Sequence, residues 1–276
     1  MRSWALITGG SVRLGREIGL AFARAGWNVA CHYNRSDAEA HALCVELRTL
    51  GVDALTVQGD LEDEASCQSI FDTTVAITGT ALQCVVNNAS LFVPDEGANF
   101  DEAQALAQIK VNLMAPMRFG KWMAALHTHA DAAEETASAG NANASATQRA
   151  KPSVIHVLDQ KVFNLNPDYF SYTLSKLALE RAVSLQAQSL APTLRVNAVA
   201  PGLMYLSGPQ TQDNFNRAAQ ANLLRQPINP ADVANSVVFL AGNASITGTT
   251  VRVDNGQHLV PLARDVMFVV EELFKS

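Results

Sequence analysis

Short apolar runs alternate along the chain with longer segments in which apolar residues recur at helical spacing. Several of these runs contain no polar alternation, which is typical of strands buried on both faces of a parallel sheet. The predicted strands read WALITG, NVACHYN, ALTVQGD, LQCVVNNAS, SVIHVLD, LRVNAVAPG and TTVRVDNG. Amphipathic helices are predicted between them, among others over 14–25, 37–50, 100–126 and 171–190.

This repeated order of strand, helix and strand predicts an α/β fold with a doubly wound parallel sheet of about seven strands flanked by helices. No break in composition divides the 276 residues, so we expect one domain over 1–276. Alanine and small polar residues dominate from about 130 to 150, which predicts an exposed, poorly ordered insertion. His127 and His129 precede it without a third ligand nearby, so we interpret them as a solvated helix end and predict no metal site.

The C-terminal tail, 257–276, is longer and more apolar than a closing strand needs, and 266–273 has helix-like spacing. Leaving this much apolar surface in water is unfavourable, because burying one such side chain contributes roughly 1.5–3 kcal/mol. We expect the tail to pack across a subunit boundary. The alternative is a tail folded back on its own subunit.

Composition and charge narrow the classes of function. The net charge is −6 and no long basic run occurs, which argues against nucleic acid or an anionic membrane as a partner. No apolar run approaches the roughly 20 residues that span a bilayer. Four cysteines without CxxC spacing predict reduced, buried thiols in a cytoplasmic protein.

A glycine-rich turn follows the first strand and opens the first helix, in the sequence TGGSVRLG. Backbone N–H groups in such a turn can approach a phosphate, and the helix dipole favours the negative charge. A plain strand-to-helix turn is the alternative, but the position at the first junction favours nucleotide binding. The residues assigned here are Thr8, Gly9, Arg13, Leu14 and Gly15.

The second strand ends in HYNRS, where folds that prefer NAD usually carry a carboxylate for the ribose 2′-hydroxyl. A cation with amide and hydroxyl donors suits a 2′-phosphate, which predicts NADP(H); a solvated surface charge is the alternative for the arginine. Asp37 comes one or two residues beyond the position where that carboxylate would stand, and it is interpreted as a first-turn helix residue. The residues assigned are His32, Tyr33, Asn34, Arg35 and Ser36.

The third strand ends at Asp60 and Leu61, which we also assign to the cofactor site. The Asp60 carboxylate could accept a hydrogen bond from the adenine amino group. It could equally cap the helix that follows.

Tyr172 and Lys176 lie one helical turn apart, roughly 6 Å along the axis, on one face of a predicted helix. An ammonium near a phenol favours the phenolate and lowers the pKa of the phenol, which makes the tyrosine a usable proton donor. Tyr169 has no such partner, because Thr173 stands four residues on. The pair alone is a weak signal, but its place after the fifth strand strengthens it.

Together these residues resemble the short-chain dehydrogenase/reductase family, from Thr8-Gly9 through NNAS, YTLSK and PG at 201–202 to TGTTVRVDNG. The resemblance implies a Rossmann fold and a homotetramer. It implies that Tyr172 is the acid and that Lys176 holds the nicotinamide ribose. It also implies that Asn112 anchors a proton-relay water and that Asn88 supports the central strand and the cofactor. By the same resemblance, further cofactor contacts are Ala89, Ser90, Pro201 and Gly202.

Three departures from the family pattern point to a branch of it. Arg13 replaces a glycine of the first turn, Ser90 ends the NNAS motif, and Asp159 replaces a serine thirteen residues before the tyrosine. These departures resemble the pteridine reductase branch, in which an aromatic ring at the position of Phe92 stacks on the pterin. Ordinary core packing is the alternative for Phe92. Leu203 and Tyr205 are expected as pocket walls.

The chemistry of Asp159 leads to the same substrate class. A carboxylate repels a ketone oxygen, but it accepts hydrogen bonds from ring N–H and amino groups, or shares a proton with a neighbouring tyrosine. Arg13 would lie between the cofactor phosphate and the substrate, or bind phosphate alone, and Ser90 would hydrogen-bond either ligand. We therefore predict an NADPH-dependent reductase of a pterin C=N bond. The alternatives are a ketone reductase and a non-enzymatic NADP-sensing protein.

Overall fold

A computed structural model describes residues 2–138, 150–206 and 210–273 of the chain. Its strands are β1 (Trp4–Ile7), β2 (Asn28–Tyr33), β3 (Ala54–Gln58), β4 (Leu82–Asn87), β5 (Ser153–Val157), β6 (Arg195–Pro201) and β7 (Thr250–Val253). All pair in parallel, in the order β3-β2-β1-β4-β5-β6-β7. The predicted strands and the doubly wound sheet are confirmed.

Helices cover both faces of this sheet and bury its apolar side chains. They are α1 (Arg13–Arg24), α2 (Asp37–Thr49), α3 (Glu64–Thr78), α4 (Glu102–Ile109), α5 (Ala115–Ser138), α6 (Phe170–Ser189), α7 (Gln212–Ala218), α8 (Pro230–Gly242) and α9 (Val266–Leu273). One apolar cluster lies under α1, α2 and α8, and a second lies under α3 and α5 on the other face. Because β5 and β6 are buried along their whole length, their sequences do not alternate between apolar and solvated positions. Their larger polar side chains, His156, Arg195 and Asn197, are buried and hydrogen-bonded.

The long helix predicted over 100–126 is interrupted. Asp101 caps α4 by accepting a hydrogen bond from the Gln104 N–H (2.8 Å), and a π-helical turn over Lys110–Met114 separates α4 from α5. Such wide turns occur often at functional sites. This one carries Asn112, which is buried.

The helix α5 also corrects two predictions about the segment around residue 130. It extends to Ser138, so the first part of the predicted insertion is helical, while 139–149 lies outside the described residues. His127 is buried, and its Nε2 hydrogen-bonds the Leu82 carbonyl at 2.9 Å. The interpretation of His127 as part of a solvated helix end was wrong, because this part of α5 still packs on the sheet. Among the described residues, no cluster of His, Cys, Asp and Glu side chains is suited to a metal ion.

The described part of the C-terminal tail folds back on its own chain. Val266 and Val270 of α9 are buried with Ala218 and Ala221, and Met267 packs against aromatic rings near α6. These side chains are already buried within a single chain, without contacts from a partner subunit. The structure therefore favours the alternative over the predicted subunit boundary, because α7 offers the tail an apolar surface within the same chain.

The order of strands reverses direction between β1 and β4, and such a switch point opens a crevice at the carboxyl ends of the strands. Ligands bind at this place in doubly wound folds. The predicted site residues follow β1, β4, β5 and β6 at this edge. None of the helices in the described ranges is long and apolar enough to cross a membrane.

Candidate active site

A cavity of about 460 Å³ lies at the carboxyl ends of these four strands. The structure brings most of the predicted site residues to it. Those that line it are Gly9, Arg13, Leu14, Gly15, Asn88, Ala89, Ser90, Phe92, Asp159, Tyr172, Lys176, Pro201, Gly202, Leu203 and Tyr205.

The glycine-rich turn is held against the loop after β4. The Thr8 hydroxyl accepts hydrogen bonds from the N–H groups of Asn88 (3.0 Å) and Ala89 (3.1 Å). The Asn88 amide donates to the carbonyls of Thr8 (3.0 Å) and Gly9 (3.1 Å). A Cβ at Gly15 would overlap the Gly9 carbonyl oxygen and approach Asn88 Nδ2 to 2.8 Å. Thr8 thus braces the turn from behind, and only glycine fits at position 15.

The start of α1 suits an anionic group. The N-cap residue, Val12, provides no side-chain acceptor, and the first turn contains no acidic residue. The first N–H groups of the helix therefore have no capping side chain and remain available to a phosphate. This is the observation that fits a dinucleotide to the turn.

Arg13 occupies a backbone conformation that glycine adopts without strain. Its φ is +50°, and a non-glycine residue there costs of order 1 kcal/mol or more. The Arg13 guanidinium donates to the Leu206 carbonyl (2.8 Å) and lies 5.0 Å from the centre of the Tyr205 ring. Arg13 thus spans the mouth of the cavity, from the first turn to the loop after β6.

His32 lies behind the turn and does not face a ligand, which corrects its assignment as a direct cofactor contact. Its Nδ1 accepts a hydrogen bond from the Gly9 N–H, and its Nε2 donates to the Gly59 carbonyl, both at 3.1 Å. Burial lowers the pKa of His32 to about 4. The ring is therefore neutral, as these two hydrogen bonds require, and it joins the turn to the end of β3.

The end of β2 presents a free cation and no free carboxylate. Tyr33 is buried, and its hydroxyl donates to the carboxylate of Asp37, which lies in the first turn of α2 as predicted. Asn34 and Arg35 are exposed, and Arg35 forms no ion pair within the described residues. Ser36 stands at the N-cap of α2 with its hydroxyl unused there. This arrangement suits a 2′-phosphate better than a ribose hydroxyl.

Asp60 does not cap α3. Its carboxylate accepts a hydrogen bond from the Glu62 N–H (2.9 Å), whereas Asp63 caps the helix through the Ser66 N–H (2.7 Å). Asp60 is exposed, so a contact with adenine stays a prediction. Leu61 is buried in the core beneath it.

Tyr172, Asp159 and Lys176 meet at the inner end of the cavity. The Tyr172 hydroxyl donates to Asp159 Oδ2 (3.0 Å), and Asp159 Oδ1 accepts from the Lys161 N–H (2.8 Å). Lys176 Nζ donates to the Val157 carbonyl (2.8 Å) and lies 5.8 Å from the centre of the Tyr172 ring. The carboxylate therefore accepts a hydrogen bond from the tyrosine hydroxyl, and its predicted role of sharing a proton with that tyrosine stays a prediction.

Burial disfavours the charged form of all three groups. It raises the pKa of Asp159 and lowers the pKa of Lys176 to about 8. Burial, followed by the charge of Asp159, raises the pKa of Tyr172 above its usual range. This direction is opposite to the lowering predicted from Lys176, because burial and the neighbouring carboxylate outweigh the ammonium.

Asn112 connects the loop after β4 to α6. Its Oδ1 accepts from the Leu91 N–H (2.8 Å) and the Ser90 hydroxyl (3.1 Å). Its Nδ2 donates to the Leu91 carbonyl and to the Ser175 hydroxyl, both at 2.9 Å. Ser175 in turn donates to the Tyr172 carbonyl (2.6 Å). Asn112 thus braces the helix that carries Tyr172, and its role toward a relay water stays a prediction.

Phe92 is 39% exposed and lines the cavity, so ordinary core packing does not describe it. Its ring stacks on Tyr169 (4.1 Å between centres, 17° between planes) and meets the Tyr172 ring edge-on at 4.6 Å. Tyr169 was not predicted as a site residue. It precedes both the predicted helix and α6 and has a left-handed backbone, so helical spacing could not have indicated its place beside Tyr172.

Lys161, Asp265 and Met267 also line the cavity, and sequence reasoning did not identify them. Lys161 follows Asp159 after a short turn, but the other two belong to the tail, about a hundred residues away along the chain. Lys161 Nζ pairs with Asp265 Oδ2 at 3.2 Å. No local pattern could have indicated this contact.

Comparison with known proteins places the chain among reductases. A model of the family described as enoyl-(acyl carrier protein) reductase matches residues 13–258. The chain is 27% identical over 274 residues to the 3-oxoacyl-(acyl-carrier-protein) reductase FabG of Staphylococcus aureus, covering 94% of this chain and 99% of that protein. It is 28% identical over 285 residues to pteridine reductase 1 of Leishmania tarentolae, covering 92% and 96%.

Among solved structures, FolM alternative dihydrofolate reductase 1 from Brucella canis, complexed with NADP, superposes with a TM-score of 0.79. It is 32% identical, and the match covers 93% of this chain and 94% of that one. The family match spans most of the chain, and this solved relative shares its fold at more than 30% identity. The chain therefore belongs to the short-chain dehydrogenase/reductase family.

Proposed function

We propose that the protein is an NADPH-dependent reductase that transfers hydride to a C=N bond of a pterin, with the proton delivered to the ring nitrogen. The observation that carries the proposal is the Asp159 carboxylate, which is partly buried and hydrogen-bonded to Tyr172 where a ketone reductase needs a donor. Similarity to pteridine reductase 1 and to the FolM protein supports the same class. Dihydropterins are the first substrates to test, followed by oxidised pterins and dihydrofolate.

NADP(H) is the cofactor, and NADPH supplies the hydride when bound. The glycine-rich turn and the start of α1 would hold its diphosphate, and Arg35 and Ser36 its 2′-phosphate. Lys176 and Asn88 would lie at its nicotinamide end. The related FolM structure was solved with NADP, which supports this assignment.

The proposed proton chemistry follows from Tyr172, Asp159 and Lys176. Tyr172 keeps its proton in the resting site, because burial and the Asp159 charge raise its pKa. Asp159 accepts hydrogen bonds and would bind ring N–H or amino groups of the substrate. Tyr172, or a water molecule, would then donate the proton, and the Lys176 ammonium would stabilise the phenolate that remains.

A ketone reductase is the second candidate, because the FabG protein matches almost the whole chain at 27% identity. The site argues against it. A ketone oxygen needs a hydrogen-bond donor, and an ionised Asp159 would repel it. Asp159, Ser90 and Arg13 together have no explanation in a ketone site.

A substrate panel with NADPH tests the proposal directly. Dihydropterins, quinonoid dihydropterin, dihydrofolate and simple diketones are compared by kcat/KM in wild-type protein and in Asp159→Ser and Asp159→Ala variants. We expect wild type to favour pterins, the serine variant to lose pterin turnover and gain slight diketone activity, and the alanine variant to be poor on both. If the serine variant retains full pterin turnover, the role proposed for Asp159 is wrong. Homotetramer formation, expected from the family, is checked by light scattering on the same samples.

A further inference from the structure

The end of the chain contributes a wall to the substrate side of the cavity. We call residues 262–267 the C-terminal strap. Its members Leu262, Asp265, Val266 and Met267 line the cavity beside Tyr169 and Tyr172. The strap is anchored by Val266 and Val270, which are buried against α7.

Polar contacts tie the strap to the segment that leads into α6. The Arg264 Nε–H is shared between the two carboxylate oxygens of Asp168, at 2.8 Å from Oδ1 and 3.0 Å from Oδ2. Oδ1 also accepts from Arg264 Nη2 (2.5 Å), and Oδ2 also accepts from the Asp265 N–H (2.6 Å). The next residue, Tyr169, has a left-handed backbone (φ +55°) and donates its hydroxyl proton to the Met267 sulfur at 3.2 Å. The strap therefore contacts Tyr169, the residue with a strained backbone that directly precedes α6.

Inside the cavity, one row of contacts runs from the strap to Phe92. Asp265 pairs with Lys161 (3.2 Å), which is only 3% exposed and also donates to Asn166. The Lys161 ammonium lies 5.7 Å from the centre of the Tyr169 ring. Tyr169 stacks on Phe92 at 4.1 Å. A buried ammonium needs a charged partner, so Asp265 keeps Lys161 in this place.

We propose that the C-terminal strap is a working wall of the substrate site and that Asp265 is a positioning residue. Through Lys161 it fixes the Tyr169 ring against which Phe92 is stacked. This inference rests on the proposed function in one respect, since Phe92 is the ring assigned to the pterin. The consequence is that substrate affinity depends on a residue about a hundred positions from the catalytic tyrosine, whereas cofactor affinity does not.

The charged groups that face the site come from several elements. Lys161 follows β5, Lys176 lies on α6, Asp265 lies on the strap, and Asp159 accepts the proton of Tyr172. Asp265 is among the charges that raise the pKa of Tyr172 and of Tyr169. Neutralising Asp265 should therefore also shift the pH profile of turnover, which a purely structural role would not do.

The test is Asp265→Asn, which retains the shape and removes the charge. We expect KM for the dihydropterin to rise about tenfold, with kcat within about twofold and NADPH Kd unchanged. Lys161→Met should raise KM by a similar factor, and combining it with Asp265→Asn should give no further rise, because both changes break the same row of contacts to the Tyr169 ring. Asp213→Asn breaks an exposed ion pair with Arg217 on α7 and serves as the matched control, with no change expected.

A KM within twofold of wild type in Asp265→Asn, or an equal rise in NADPH Kd, would overturn the inference. The proposed function is judged separately, by wild type alone. If wild type reduces only diketones, the pterin assignment fails and the same variants are measured on the diketone. A thermal melt of each variant shows that the protein is folded.

Discussion

The Tyr172 hydroxyl donates a hydrogen bond to the partly buried Asp159 carboxylate and lies near the buried Lys176 ammonium. Burial raises the pKa of Asp159 and lowers that of Lys176 to about 8, so it shifts both groups toward their neutral forms. The two interact, because the Asp159 charge raises the pKa of Lys176 against the effect of burial. The pKa of each group in this site thus depends on its charged neighbour as well as on its own burial.

This coupling predicts a shift in the alkaline limb of activity. In wild type, kcat/KM should fall as pH rises through about 8, because Lys176 loses the proton that stabilises the phenolate. Asp159→Asn removes the charge that raises the pKa of Lys176, so in the variant the fall should begin at lower pH. The measurement is kcat/KM against pH with the best substrate of each protein. An alkaline limb at the same pH in both proteins would contradict the coupling.

At the scale of elements, we expect the link between β2 and α2 to determine cofactor choice. The strand ends at Tyr33 and the helix begins at Asp37, which leaves three residues to present side chains to a ligand. Asp37, the carboxylate that directly follows these three residues, accepts a hydrogen bond from the Tyr33 hydroxyl. Arg35 is left as the exposed cation at this strand end.

Arg35→Ala should therefore weaken NADPH binding and leave NADH binding almost unchanged. A charge-assisted hydrogen bond contributes roughly 1.5–3 kcal/mol, which is about tenfold to over a hundredfold in affinity. Fluorescence titration with both cofactors measures the difference. Arg24→Ala, at the exposed carboxyl end of α1, is the control. Equal losses for the two cofactors in Arg35→Ala would remove the basis for NADP preference.

At the scale of the whole molecule, the tail completes the domain. Val270 is fully buried in the cluster between α7 and α9, while Phe268 of the same helix is 49% exposed. Apolar surface that the sequence assigned to a subunit boundary is thus removed from water within one chain. The homotetramer stays a prediction, independent of these contacts.

Val270→Ala should lower the free energy of unfolding by about 1–3 kcal/mol, because it leaves a cavity in this cluster. Phe268→Ala should lower it by less than about 1 kcal/mol, since the ring is half exposed. Urea unfolding measures both, and light scattering should show the wild-type mass for both variants. A change of mass in Val270→Ala would instead support the prediction that the tail packs across a subunit boundary.

The sequence by itself determined the sheet, the glycine-rich turn and the Tyr172–Lys176 pair. These features are local: burial on both faces makes a strand continuously apolar, and a phosphate turn or a one-turn spacing needs only neighbouring residues. Asp159 could also be identified, because it stands where the family that the chain resembles usually carries a serine. The departures at Arg13 and Ser90 were visible for the same reason.

Only the tertiary structure decided the rest. Burial set the direction of the pKa of Tyr172, and no spacing along the chain reports burial. His32 turned inward to the Gly9 N–H, although its strand end pointed to a ligand role. Lys161, Tyr169 and Asp265 became neighbours because the tail folds back over the segment that leads into α6. Contacts between segments a hundred residues apart arise from packing, which the local pattern of a sequence does not encode.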